Sequence, residues 1–391
     1  MSGPIQSLWR RLQAHGARNS LPASDGNAVQ LLESGCQILE ASRNLIRGAT
    51  RTLHFETYIW TDDQTGRELL ELLKDAQTRG VQVRGIVDHF GSWASEALIQ
   101  EARKAGLNVR LYHPIRIRFP WRSWMRRNHR KLVIADGRRA VVGSANWADD
   151  YNSEVNPNHY RDLGLELMGP VMKDLSLDFA ASWTRAKGQP FSTEDLPAST
   201  EELPSQAWIP RVPIQVVSSL NRGRQPIRRH LLVVLRQVKQ RALVASAYFV
   251  PDPQVLRALT RMIRRGVETD LILPGTSDHP AVQAASRATF GRLLRVGARI
   301  WERQGRMLHT KAAVLDQEIV ILGSANLDSL SFRRNLELNL VLRSRTLAGI
   351  IEETLERDRS RSLPWDLEQW HALPFWRKTL QRVFYALWPW L

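Results

Sequence analysis

The feature that most restricts the fold of this chain is a spaced motif that occurs twice. Each copy reads His-x-Lys, then Asp after four residues, then Gly-Ser-x-Asn after six more, and corresponding positions lie 180 residues apart. The first copy comprises His129, Lys131, Asp136, Gly143, Ser144 and Asn146, and the second His309, Lys311, Asp316, Gly323, Ser324 and Asn326. Two matches at six fixed residue types with equal spacing exclude coincidence. The sequence therefore predicts one fold unit duplicated within the chain.

The segments upstream of the two motifs also correspond. Residues 52–88 and 242–274 each read as an apolar strand, an amphipathic helix and a second apolar strand. Gly80 and Gly266 follow the two helices, where a C-terminal cap favours positive φ. Because strands that alternate with helices pack as a covered sheet, we expect an α/β fold. It consists of two duplicated α/β/α sandwich domains with the active site at their interface.

Composition predicts the domain boundaries. Residues 191–213 are rich in Pro, Ser and acidic residues and lack periodicity, which is typical of a connector. This connector separates a first domain, 26–190, from a second domain, 214–360. A flexible N-terminal segment, 1–25, precedes them, and an aromatic, basic and amphipathic tail, 361–391, follows.

The spacing of the motif indicates phosphate chemistry. In a strand, alternate side chains share a face, so each His lies beside its Lys. The Ser hydroxyls and Asn amides can donate to phosphate oxygens, and the predicted phosphate-binding residues are Ser144, Asn146, Ser324 and Asn326. Two such half-sites suit a phosphodiester, because one imidazole can attack phosphorus while the other protonates the leaving oxygen. The two lysines would stabilise the added charge of the transition state.

The candidate catalytic residues are those of the His-x-Lys-x4-Asp pattern, namely His129, Lys131, Asp136, His309, Lys311 and Asp316. The two aspartates nevertheless fall at predicted hairpin turns, where Asp commonly bonds nearby backbone, and this position favours a structural role. A catalytic imidazole also needs a partner that orients it. We expect Glu337 to orient His309 and Asp162 to orient His129, with Glu154 as the rival in the first half.

Charge and composition limit the partners. The formal net charge is +16, which favours anionic phospholipid, a membrane surface or nucleic acid. Long apolar and aromatic segments near the motifs fit lipid better than nucleic acid. No cofactor and no metal are expected, because a lysine two residues from each histidine would repel a cation. The single cysteine, Cys36, excludes a disulfide framework within the chain.

These motifs resemble the duplicated signature of the phospholipase D superfamily, and the sequences that flank them are similar to those of bacterial cardiolipin synthases. ETYIWTDDQTGRELLELL, SAYFVPD, MLHTKAAVLD and GSANLDSLSFRRNLELNL carry this resemblance. It implies transfer of a phosphatidyl group to the glycerol headgroup of phosphatidylglycerol without a metal, through a phospho-histidine. It further implies His129 as nucleophile and His309 as acid. A hydrolase or nuclease of the superfamily, and a catalytically silent lipid-binding protein, are the alternatives.

Many such synthases begin with two spanning helices, whereas this sequence has no run of 18 apolar residues and matches a shorter subgroup. We therefore expect a peripheral protein on the cytoplasmic face of the cell membrane. Residues 110–131, with seven Arg and two Trp, and the Trp-rich tail are the candidate membrane-binding segments. The alternative for residues 110–131 is a solvated basic loop. The alternative for the tail is a helix packed on the domain. The oligomeric state is open.

Overall fold

A computed structural model describes residues 22–114, 126–190, 208–220 and 225–390. Most of the predicted flexible segment 1–25, most of the predicted connector 191–213 and the middle of the basic segment 110–131 lie outside the described residues. Within the described ranges, no helix is long and apolar enough to cross a membrane.

In the described residues, the first half of the chain forms seven strands and four α-helices. The strands are β1 (Ser24–Leu32), β2 (Thr52–Thr57), β3 (Gln82–Asp88), β4 (Asn108–Tyr112), β5 (Leu132–Ala135), β6 (Arg139–Gly143) and β7 (Gly164–Met168). The helices are α1 (Gly35–Gly48), α2 (Gln64–Thr78), α3 (Glu96–Lys104) and α4 (Val171–Arg185).

The second half repeats this pattern and adds elements at its end. Its strands are β8 (Ile209–Ser218), β9 (Arg241–Ser246), β10 (Glu268–Pro274), β11 (Arg299–Arg303), β12 (Lys311–Leu315), β13 (Ile319–Gly323), β14 (Leu338–Arg343) and β15 (Ser362–Trp365). Its helices are α5 (Pro226–Gln237), α6 (Pro253–Arg264), α7 (Pro280–Arg287), α8 (Phe290–Leu294), α9 (Ser329–Arg333), α10 (Arg345–Arg359), α11 (Leu367–Ala372) and α12 (Phe375–Ala386).

All these strands join one sheet, in the order β15-β11-β10-β9-β12-β13-β14-β8-β1-β7-β6-β5-β2-β3-β4. In each half three strands are parallel, β2-β3-β4 and β9-β10-β11, and the rest of the half is antiparallel. The halves meet where β1 pairs antiparallel with β8, and apart from the edge strand β15 the equivalent strands follow in the same order on both sides of this junction. The duplicated α/β fold predicted from the motif is confirmed.

Helices cover both faces of the sheet and divide the core into three clusters. One cluster spans both halves and includes apolar side chains of α4 and α10 against one face. The other face is covered separately in each half, mainly by α1, α2 and α3 in the first and by α5, α6 and α8 in the second. Gly80 and Gly266 follow α2 and α6 with φ of 90° and 89°, as helix caps of this kind require.

Two elements begin inside segments for which the sequence predicts no strand. β8 starts at Ile209, within the predicted connector, and pairs with β1 and β14. The predicted tail, 361–391, opens with β15, which pairs antiparallel with β11 as an edge strand. Periodicity did not reveal these strands because β8 contains two prolines and β15 has only four residues.

Candidate active site

His129 and His309 lie at the end of the sheet where β5 and β12 begin, and both line one cavity of about 480 Å³. Both imidazoles are largely buried, with 8% and 4% of their residue surface exposed. The paired half-sites predicted from the repeat therefore share a single chamber. Its polar lining lies where the two halves of the chain face each other.

The orienting carboxylates cross between the halves. Nδ1 of His129 lies 3.1 Å from Oε2 of Glu337, and Nδ1 of His309 lies 2.8 Å from Oδ2 of Asp162. The predicted pairing, Glu337 with His309 and Asp162 with His129, is therefore wrong, although both carboxylates do contact imidazoles. Glu154, the rival for the first half, is not the hydrogen-bond partner of either ring among the contacts of the described residues.

Backbone pairing between the halves explains this exchange. The N–H of His129 donates to Leu336 O at 2.9 Å, and the N–H of His309 donates to Arg161 O at 2.8 Å. Leu336 and Arg161 immediately precede the two carboxylate residues in the chain. Each histidine strand is thus held beside the carboxylate segment of the opposite half.

The two motif serines contact these carboxylates. Ser324 Oγ donates to Oε2 of Glu337 at 2.5 Å, and Ser144 Oγ donates to Oδ1 of Asp162. Both serines are buried, at 1% and 0% exposure. The prediction that Ser144 and Ser324 bind phosphate is therefore not supported by the geometry, because their hydroxyl protons are used to hold the carboxylates in place.

The two motif asparagines differ from each other. Asn146 donates through Nδ2 to Tyr151 Oη at 2.9 Å and accepts through Oδ1 from the N–H of Ile59 at 3.2 Å. Asn326 also lines the cavity, but its buried Oδ1 has no hydrogen-bond partner among the described residues. The side-chain amide of Asn326 is therefore the freer of the two to contact a ligand.

Two buried ammonium groups lie beside the imidazoles. Nζ of Lys131 and Nζ of Lys311 each donate at 2.7 Å to the backbone carbonyl of the histidine two residues earlier. Burial lowers the pKa of Lys131 well below its usual value, against the opposing effect of Glu337. Burial likewise lowers the pKa of Lys311 to about 8, opposed by Asp162 and Glu337. A bound anion would favour the charged form of both.

The charge states of the imidazole–carboxylate pairs follow from burial and from each other. Burial lowers the pKa of His129, and burial together with Lys311 lowers the pKa of His309 to about 4. Burial alone would raise the pKa of Asp162 and Glu337, but the facing imidazoles, the lysines and the serine hydroxyls hold both below their usual values. At neutral pH the site therefore contains neutral imidazoles and ionised carboxylates. A neutral imidazole with Nδ1–H donated to a carboxylate presents the lone pair of Nε2 as a nucleophile.

The motif aspartates directly follow β5 and β12, at the ends of these strands that lie away from the histidines. Asp136 accepts hydrogen bonds from the N–H groups of Thr50, Arg51 and Thr52 at 2.7–2.9 Å. Asp316 does the same for the N–H groups of Lys239, Gln240 and Arg241. These contacts agree with the structural role favoured by their turn position and give no support to their grouping with the catalytic residues.

The sequence did not single out several residues that line the cavity. Tyr58 lies edge-on to His129, with ring centroids 5.0 Å apart, and Tyr151 Oη lies 3.4 Å from Nε2 of His309. Tyr248 and the buried Asp328 also contribute, and burial raises the pKa of Asp328 to about 7. Tyr58 and Tyr248 follow β2 and β9, so the upstream repeat was a signal that could have located them.

Within the described parts of the chain, no group of three or more His, Cys, Asp and Glu side chains is placed to hold a metal ion.

A solved structure with the same architecture is the phosphatidylserine synthase of Haemophilus influenzae Rd KW20. It superposes with a TM-score of 0.72 over 98% of this chain and 97% of that one, at 14% sequence identity. At this level of identity the likeness defines the fold alone, a duplicated α/β sandwich.

Sequence comparison defines the family more narrowly. Residues 43–179 and 231–359 match the family described as cardiolipin synthase, PLD-like domain. Cardiolipin synthase B of Salmonella typhi is 32% identical over 347 residues, which is 85% of this chain and 80% of that protein. Cardiolipin synthase A of Pseudomonas syringae pv. syringae is 31% identical over 357 residues, covering 90% and 72%. The chain therefore belongs to the cardiolipin synthase family, and it is an enzyme of the phosphatidyltransferase class.

Proposed function

We propose that the protein makes cardiolipin from two molecules of phosphatidylglycerol and releases glycerol. The observation that carries the proposal is the pair of imidazoles on one cavity, each held through Nδ1 by a carboxylate of the opposite half. In this arrangement neither Nε2 is bonded to a carboxylate, so both can act at one phosphorus atom. Family membership supports phospholipids as the substrate class.

In the first step Nε2 of His129 attacks the phosphorus of the donor lipid. A P–N bond forms, the P–O bond to the glycerol headgroup breaks, and Nε2 of His309 supplies the proton to the departing oxygen. We assign attack to His129 because its Nε2 makes no hydrogen bond to any described residue, whereas Nε2 of His309 already lies near Tyr151 Oη. The phosphatidyl group is then held on His129.

In the second step a glycerol hydroxyl of the acceptor phosphatidylglycerol enters. His309, now neutral, takes the proton of this hydroxyl as its oxygen attacks phosphorus, and the P–N bond breaks. The product carries two phosphatidyl groups on one glycerol, and His129 is free again. If water replaces the hydroxyl, the same residues yield phosphatidic acid.

The surrounding charges fit this sequence of steps. Lys131 and Lys311 would pair with the non-bridging oxygens, whose charge rises in the pentacoordinate transition state. Asp162 and Glu337 would stabilise each imidazole when it becomes positively charged. The bound phosphate raises the pKa of His309, which allows it to be protonated for the first step.

We further propose that the protein docks peripherally on the cytoplasmic face of the cell membrane, through α12 and the turn that follows it. Trp376, Leu380, Val383, Leu387 and Trp390 repeat at alternating intervals of four and three residues and are 46–61% exposed. The exposed Arg377 and Arg382 flank this apolar stripe. Trp390 also lines the active-site cavity, so the stripe leads to the mouth of the site. Such a surface fits the interface of a bilayer with anionic lipid.

Product analysis tests the proposed reaction. We expect purified protein and vesicles of phosphatidylglycerol to give cardiolipin and glycerol in equal amounts, measured by mass spectrometry of the lipids and by assay of glycerol in the aqueous phase. Phosphatidic acid alone would replace the proposal with hydrolysis. Nicking of plasmid DNA without lipid turnover would replace it with nuclease activity.

The intermediate is tested with phosphorus-labelled donor lipid. His129→Ala should abolish the acid-labile labelled enzyme, whereas the exposed His371→Ala should leave the label unchanged. Persistence of label in His129→Ala together with its loss in His309→Ala would reverse the two roles.

Membrane docking is tested by sedimentation with anionic vesicles. We expect Leu380→Glu in α12 to weaken binding. Leu363→Glu makes the same change at a leucine of β15 that is more exposed, 60% against 46%, and should leave binding intact. Equal losses in both variants would contradict docking through α12.

A further inference from the structure

A narrow apolar cavity of about 70 Å³, here called the channel, lies in the second half of the molecule between the sheet and helices α5 and α6. Its walls are side chains of the helices, such as Leu231, Leu235 and Met262, and side chains of the sheet, such as Val244 and Ala313. Val244, Ala313 and Leu231 are only half-buried, so this part of the core is not closed. A space of this kind costs packing energy unless a ligand fills it.

The corresponding space in the first half is filled. Phe55 pairs with Val133 across β2 and β5, and both are buried, at 0% and 3% exposure. The Phe55 ring stacks on Trp147 at 4.5 Å and lies edge-on to Trp60 at 5.8 Å. These aromatic side chains occupy the region between the sheet and its covering helices.

The second half has smaller residues at each of these positions. Val244 pairs with Ala313 across β9 and β12, so these two take the places of Phe55 and Val133. Leu327 takes the place of Trp147, because the bridge between Phe249 and Leu327 corresponds to that between Trp60 and Trp147. Three reductions in side-chain size outweigh one increase, Leu271 in place of Gly85, and open the channel.

The channel begins at the active site. Lys311 and Asn326 form part of its lining, and Asn326 also lines the cavity that holds the two histidines. From there the channel follows β12 to Leu315. A strand rises about 3.3 Å per residue, so Lys311 to Leu315 spans about 13 Å. A ligand in the channel would have an anionic group beside Lys311 and an apolar chain extending away from it.

We propose that this channel binds one acyl chain of the phospholipid whose phosphate occupies the active site. The inference rests on the proposed function, because it assigns the chain of that substrate. The two histidines are buried, so a phosphate that reaches them must draw its chains out of the bilayer. The channel keeps one chain in apolar surroundings, whereas without it the chain would meet water. The channel also accounts for the asymmetry between the duplicated halves, since only the second half has the smaller side chains.

The test uses short-chain phosphatidylglycerols with chains of four to eight carbons, kept monomeric in water. In the wild type each added methylene group should lower KM about fourfold until the channel is full. Val244→Phe combined with Ala313→Val puts the first-half residues at these two positions beside Leu271, fills the channel and should abolish this dependence of KM on chain length, with activity on the shortest lipid retained. Val233→Phe changes a half-buried valine of α5 outside the channel lining and is the matched control.

An equal dependence on chain length in the wild type and in the double variant would overturn the proposal. Absence of turnover on every lipid in the wild type would instead reject the proposed function. If circular dichroism shows that the double variant is unfolded, a wild-type experiment decides. Phosphatidylglycerol with a diazirine at the end of one chain should label residues of α5, α6 or β12, and labelling confined to α12 would contradict the channel.

Discussion

At the scale of single residues, the crossed pairing of imidazoles and carboxylates gives each acid a separate task. Glu337 bonds the proposed nucleophile, His129, and Asp162 bonds the proposed acid, His309. Each carboxylate is further held by the serine of its own half, Ser324 or Ser144. The two carboxylates are therefore distinguishable by the step that each supports, although their surroundings are alike.

A substrate with a good leaving group separates the two tasks. Glu337→Gln and Asp162→Asn should each lower kcat on phosphatidylglycerol by about 10²–10⁴-fold, because each misorients an imidazole. A p-nitrophenyl phosphodiester needs no proton on its leaving oxygen. We expect formation of labelled enzyme from this substrate to recover in Asp162→Asn and to stay slow in Glu337→Gln, as measured by rapid quench. Recovery in Glu337→Gln alone would mean that His309 is the nucleophile and His129 the acid.

The pKa of His309 predicts how stability depends on pH. Its value of about 4 in the folded protein lies below the ordinary 6.5, so the unfolded chain binds a proton first as pH falls. This contribution to stability is fully present above pH 6.5 and is lost as pH falls towards 4. Between pH 7.5 and 5 the wild type should lose about 2 kcal/mol more of its free energy of unfolding than His309→Gln. Urea titrations at both pH values measure this difference, and parallel losses would contradict it.

At the scale of elements, the hairpin turns of the two motifs show how a motif residue can be structural. The carboxylate of Asp136 ties the turn between β5 and β6 to the N–H groups at the start of β2, and its backbone φ is 53°. Asp316 does the same for the start of β9, with φ of 48°. Aspartate suits both demands, because it accepts several hydrogen bonds and tolerates positive φ.

Replacement of this aspartate should cost stability rather than catalysis. Asp136→Asn keeps the positive φ and removes the charge, and we expect about 1–3 kcal/mol lower free energy of unfolding with kcat within about twofold. Asp75→Asn, at an exposed helix position, is the control and should change neither. A large loss of kcat in folded Asp136→Asn would return this residue to the catalytic set.

At the scale of the whole molecule, the repeat revealed more than any single element did. The equal spacing of two motifs predicted the duplicated sheet and the meeting of His129 and His309. It could not predict the crossed carboxylates, because that exchange depends on backbone bonds between segments more than 140 residues apart, such as His309 to Arg161. The repeat also gave no sign of the difference between the halves. The motifs are identical, whereas the equivalent positions Phe55 and Val244 near them carry side chains of different size.

The net charge of the whole molecule predicts how membrane binding depends on salt concentration. Basic residues near an anionic surface contribute about 1 kcal/mol each, and the Debye length falls from about 10 Å at 0.1 M salt to about 3 Å at 1 M. With a net charge of +16, we expect affinity for anionic vesicles to fall at least about tenfold over this range. The apolar stripe of α12 is insensitive to this screening, so residual binding at 1 M salt should remain in the wild type and disappear in Leu380→Glu. Vesicle sedimentation at both salt concentrations measures the two contributions. Salt-independent binding that survives Leu380→Glu would mean that neither the charge nor α12 holds the protein at the membrane.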